Sequence, residues 1–161
     1  MTTLALLPEP IKRLFDRVDV RPTHPDLEAA HEYWNSLRGD RVFPTAADLD
    51  LTDLGDAASQ LFVLAQSDQT ARDWTLVFVG RQAGSVLVPG GDQQTLQGLR
   101  DRRLAVHIRR LIEFVREAGE PLAASFSVHS GTQYYHYHLF LAPLSADGHH
   151  VDGALGGVIG D

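Results

Sequence analysis

Two short β runs, one long amphipathic helix and three further β runs, preceded by helical segments, place this 161-residue chain in the α+β class. Three observations carry that assignment. Residues 61–67 (LFVLAQS) and 74–80 (WTLVFVG) are rich in β-branched and aromatic residues on either side of a polar turn. Residues 99–118 repeat apolar residues at helical spacing, and 133–144 (QYYHYHLFLAPL) alternates before turning apolar. With 43% hydrophobic residues the chain can bury one core but hardly two, so one domain is expected.

Taken in order, Ile11, Leu14, Phe15 and Val18 fall at i, i+3, i+4 and i+7 after Pro8, one face of a short amphipathic helix. This predicts a flanking helix within residues 1–22, ahead of a domain over 23–161. Pro22 and Pro25 break the chain, since each lacks an amide donor and restricts the residue before it. A second helix follows, with Thr23 or Asp26 as cap, apolar positions at Leu27, Ala30, Trp34 and Leu37, and Gly39 as the stop. Asp48, Asp50, Asp53 and Asp56 suit turns and short helical starts, so residues 39–60 read as an irregular connector. The runs 61–67 and 74–80 form a hairpin around the turn 68–73, and the glycines and proline of 80–91 leave 81–98 without an assigned element. Helix resumes from Leu99 to Ala118 on a stripe of Leu104, Ile108, Leu111, Ile112 and Val115, and Gly119 ends it. Strands at 121–130, 133–144 and 150–159 complete the chain, the first two joined by the turn SGTQ.

That order is the order of a PAS domain, and particular blocks strengthen the likeness. YWNSLRGDRVFPTAADLDLTDL (33–54) resembles the opening of a bacterial family of stand-alone PAS proteins, with its tyrosine-tryptophan pair, leucine-arginine-glycine turn, proline and string of aspartates. FVG (78–80) and LAPLSADGHHVD (141–152) resemble the later blocks of that family, so the likeness spans about residues 27 to 159. It implies a five-stranded antiparallel sheet covered on one face by helices, acting as a non-catalytic sensory or protein-interaction module in bacterial signal transduction. It also implies a small apolar pocket between the sheet and the long helix. Given the strand phase, the pocket's walls would be Trp74, Leu76 and Phe78, with His107 and Leu111 from the helix and Phe126 and Val128 from the following strand. His107 matters doubly, because haem-binding PAS sensors carry their axial histidine on the corresponding helix; the sequence itself names no cofactor.

No kinase, cyclase or DNA-binding segment accompanies the domain, so its output is expected to pass through another signalling protein or a second copy. The stripe of Ile11, Leu14, Phe15 and Val18 is the expected docking face for that copy, the alternative being that it packs on its own sheet. The rival readings are a ligand-free adaptor with a filled core, and a small ligand-binding enzyme or carrier. The long helix interrupting the strands disfavours the last.

Charge and composition exclude further classes. A net charge of −7 opposes nucleic-acid binding, which needs a basic face to displace counterions, and Lys12 is the only lysine. The absence of cysteine excludes disulfide scaffolds, thiolate metal sites and cysteine nucleophiles. The N-terminal apolar patch is too short to span a bilayer and follows no positive run, so a cytoplasmic protein without membrane association is expected. In strand 133–144, Tyr135, Tyr137, Leu139 and Leu141 share the better core face. His136 and His138 lie on the other, with His129 on the neighbouring strand, and this reads as a polar sheet face rather than a metal site. VPGGDQQT (88–95) lacks the lysine of a phosphate loop, and the aspartates from Asp48 lack the calcium-loop glycine and glutamate, the twelfth position being Ser59. No nucleophile with a base and an orienting group stands at a recognisable spacing, so no catalytic residues are assigned.

Overall fold

The computed structural model describes residues 14–66, 74–87, 95–99 and 101–160. Its frame is an antiparallel sheet of six strands: β1 (Arg17–Asp19), β2 (Leu61–Gln66), β3 (Trp74–Val79), β4 (Leu122–Ser130), β5 (Gln133–Leu144) and β6 (Gly153–Gly160). They lie in the order β1-β4-β5-β6-β2-β3, with every neighbouring pair antiparallel. Helix α1 (Pro25–Arg38) precedes β2, while α2 (Arg81–Leu87) and α3 (Arg102–Ala118) bridge β3 to β4.

Strand alternation sorts the core into two layers. On the inner face, Leu122, Ala124, Phe126 and Val128 of β4 and Tyr137, Leu139 and Leu141 of β5 meet the α3 stripe of Leu104, Ile108, Leu111, Ile112 and Val115. On the outer face, Phe140, Ala142 and Leu144 join Val63 and Leu155 beneath Leu27, Ala30 and Trp34 of α1. The sheet is thus covered on both faces rather than one. The reason is visible in β5, where Leu139 to Leu144 are all buried; an unbroken apolar run leaves neither face for water. Trp34 fixes the outer layer by donating its indole N–H to the Pro143 carbonyl at 2.8 Å. Close approach also depends on two adjacent glycines: a Cβ on Gly156 would stand 2.5 Å from the Phe62 ring, and one on Gly157 2.5 Å from Leu27.

Several elements differ from the sequence expectation. The flanking helix does not reach Val18, because residues 17–19 pair with β4 as strand β1 in the register Arg17↔Ser125, Val18↔Ala124 and Asp19↔Ala123. The open edge of β4 supplies backbone partners that three residues could not find in an isolated helical turn. The first part of that predicted helix, including Ile11, lies outside the described residues, as does the turn 68–73. The cap of α1 is neither Thr23 nor Asp26 but His24, whose ring Nδ1 accepts from the Asp26 amide at 3.3 Å. The unassigned stretch contains α2, with the rest of 88–94 outside the description. Helix α3 starts after Asp101, whose carboxylate accepts from the Arg103 and Leu104 amides, and it ends at Gly119 with φ of 68°.

Candidate functional site

The sequence places a pocket between α3 and the inner face, and the structure brings six of its seven residues into one buried cluster: Trp74, Leu76, His107, Leu111, Phe126 and Val128. Phe78 is the exception. Leu64 pairs with Leu76, but Val63 pairs with Phe78, so Val77 is an extra residue and the strand changes phase there. Val79 takes the inner position, and Phe78 turns to the outer side and stays 38% exposed. Phe78 is therefore not a wall of this region.

His107 lies on α3 against Phe126 of β4, at the β1 side of this core. Its ring lies flat on Phe126, with centroids 3.9 Å apart and planes 9° apart, and Phe15 meets it edge-on at 5.4 Å. Nδ1 stands 2.6 Å from the Arg103 carbonyl, one turn back on the same helix, and Nε2 stands 3.0 Å from the Leu14 carbonyl. Both nitrogens face backbone oxygens, whereas an axial metal ligand needs one nitrogen aimed into open space. Leu14, Phe15 and Val18 pack on this same cluster, and Phe15 is 5% exposed. Over these three residues the stripe expected to dock a second copy packs on the protein's own core, Phe15 buried and Leu14 and Val18 partly so.

Some of the cavities among the described residues lie elsewhere. One of about 20 Å³ is bounded by Arg17, Asp19, His24, Ser125 and His138 on the outer face. Another of about 40 Å³ lies beside Arg21, Glu28 and His31. A shallow depression of about 710 Å³ runs between Phe43, the end of α3 near Phe114 and Glu117, and the loop at His149 and His150.

The outer face also carries a polar network that sequence spacing did not show. Ser127 of β4 donates to Asp16 at 3.1 Å, accepts from the Tyr134 hydroxyl at 2.7 Å, and lies 3.0 Å from Nδ1 of His136. With the hydroxyl proton on Asp16, His136 is the donor, and every hydrogen-bonding site of Ser127 is used. A serine so engaged is a tie between strands rather than a nucleophile. No group of three or more His, Cys, Asp or Glu side chains among the described residues is placed to hold a metal ion. In the loop after β5, Asp147 accepts from the amides of His149 and His150 and from Ser145, and these bonds to its charged form pull its pKa down to about 2.

A family profile described as PAS domain matches residues 22–159, most of the chain. The chain belongs to the PAS-domain family. No curated protein matches it. Within the PAS frame, β2 and β3 open the sheet, α2 and α3 form the crossover, and β4 to β6 complete it, with β1 added beyond β4. PAS domains are in general sensory or interaction modules without catalysis of their own. Among the described residues no helix is long and apolar enough to cross a membrane.

Proposed function

We propose that this PAS domain is a protein-interaction module of bacterial signal transduction whose core is filled by its own side chains. The observation that carries the reading is His107: stacked on Phe126, edged by Phe15, and with both nitrogens on backbone carbonyls, it occupies the space that a ligand would need. Leu111 and Val128 belong to the same inner core. Signal then passes through the surface to another cytoplasmic signalling protein, without a bound small molecule as intermediary.

The test compares native and denaturing mass spectrometry of freshly purified protein, together with an absorption scan into the visible. The expected result is the mass of the bare chain or a multiple of it, and no band beyond the aromatic region. A retained small molecule, or a Soret band that disappears in His107→Ala, would instead establish a ligand-binding sensor.

A further inference from the structure

Helix α3 buries one side against the sheet and turns the other to water, and the wet side is strongly basic. From Arg102 to Arg110 it reads RRLAVHIRR, four arginines with no acidic residue, in a chain whose net charge is −7. Arg102, Arg103, Val106 and Arg110 are exposed and Arg109 is half-buried, while Leu104 and Ile108 on the same turns belong to the inner core. Val106 stands among the arginines 47% exposed. At a rise of about 1.5 Å per residue, Arg103 and Arg110 lie about 10 Å apart along the axis with Val106 between them.

Helix formation does not account for this charge. The dipole favours acids in a first turn, and that of α3 holds Arg102 and Arg103 and no acid. A face that serves solvation alone interleaves charges of both signs, as this stretch does not. Arg103 donates to the His129 carbonyl, a neutral acceptor that fixes the guanidinium without neutralising it. The Asp101 carboxylate accepts from the Arg103 and Leu104 amides as the cap. Arg110 reaches Glu113 at 3.4 Å, but both side chains are more than half exposed and such a pair holds little. Arg102 and Arg109 have contacts of their own and add to the local field.

The patch continues onto the sheet. Beside His129, Val128 pairs with Tyr135 of β5, which is 40% exposed. Arginine and tyrosine are the residues that protein interfaces favour, and the planar guanidinium fork suits carboxylates. A nucleic acid fits less well, because the net charge of −7 repels a polyanion and Glu113 and Glu117 close the far end of the helix. A second copy would bring the same net charge with it.

We propose that the exposed face of α3 from Arg102 to Arg110, with Tyr135 beside it, docks an acidic segment of the partner protein. Two carboxylates of that segment meet Arg103 and Arg110, and an apolar side chain between them covers Val106. This rests on the reading of the domain as a protein-interaction module and assigns that module its surface.

Selection of a random-peptide display library on the purified full chain tests the assignment. Enriched peptides are expected to carry acidic residues on both sides of an apolar one and to shift the amide signals of residues 102–110. They should bind about tenfold more weakly in about 500 mM salt than in about 50 mM. The variant Arg103→Glu/Arg110→Glu should weaken them about tenfold or more; its first change places an acid where the helix dipole favours one, so an intact fold is expected. Val106→Asp, which leaves both arginines in place, should weaken them as well. Selections without acidic enrichment, or peptides that bind wild-type and charge-reversed chains alike, would overturn the proposal. So would duplex DNA that displaces the selected peptides, or a dimer in light scattering that separates in the charge-reversed variant. Mass spectra report on the filled core and not on this face, so the two readings fail separately.

Discussion

The two faces of the sheet are closed by different chemistry. The inner face meets a 17-residue helix along a continuous apolar stripe, and its one imidazole, His107, is wedged between phenyl rings. The outer face is divided: Trp34, Leu27 and Ala30 cover the half near β6, while serines, histidines and Asp16 tie the half near β1. The difference teaches where each kind of perturbation should act. Volume changes should register in both layers, and the buried imidazole of His31 adds a dependence on proton concentration to the outer one.

The largest effects come from emptying either layer. Trp34→Ala removes a fully buried indole and its bond to Pro143, and should cost about 3 to 5 kcal/mol. Leu111→Ala on the inner side should cost about 2 to 5 kcal/mol. Denaturant titration measures both, and a loss below about 1 kcal/mol for either would mean that its layer is not the packed core described. Next come the glycines between the layers. Gly156→Ala drives a methyl into the buried Phe62 ring, and Gly157→Ala drives one into Leu27, each with an expected cost of about 1 to 3 kcal/mol. The first should exceed the second, because a ring yields less than the end of a leucine side chain; the reverse order in thermal melts would show that α1 is the more rigidly held layer.

Smaller effects follow pH. The pKa of His31 is lowered in the fold, so its contribution to stability is complete above the ordinary histidine value of 6.5 and is lost as pH falls from there through the lowered value. His31→Gln should flatten that part of the stability profile, and an unchanged profile would contradict the stated role of burial. Asp147 acts lower still. Its stabilisation of the loop 145–150 is present above the ordinary value of 3.8 and disappears as pH falls toward about 2. In Asp147→Asn the exchange of the His149 and His150 amides should quicken at neutral pH, while the wild-type loop should loosen only in strong acid.

How far this contrast was legible in the sequence follows from range. Helix α3, its stop at Gly119, the two hairpins and the inward phase of Tyr137, Leu139 and Leu141 rest on local patterns, and the structure has all of them, while Tyr135, expected on the same core face, is 40% exposed. Strand β1 could not be read, because three residues acquire their conformation only by pairing with β4, about a hundred residues later. The bulge at Val77 was equally hidden: one extra residue in a run of apolar side chains leaves no local mark, yet it sends Phe78 to the other face. His24 as a cap escaped notice since histidine is not among the usual capping residues. The tie from Asp16 through Ser127 to His136 depends on a register between distant strands.

The central claim is that the inner core is already filled, and xenon tests it most directly. An empty apolar cavity admits xenon, whereas a core packed to normal density does not. Methyl spectra recorded with and without pressurised xenon should show the signals of Leu111 and Val128 unmoved. Saturable shifts centred on those two methyl-bearing residues would contradict the account and reveal room for a ligand beside His107.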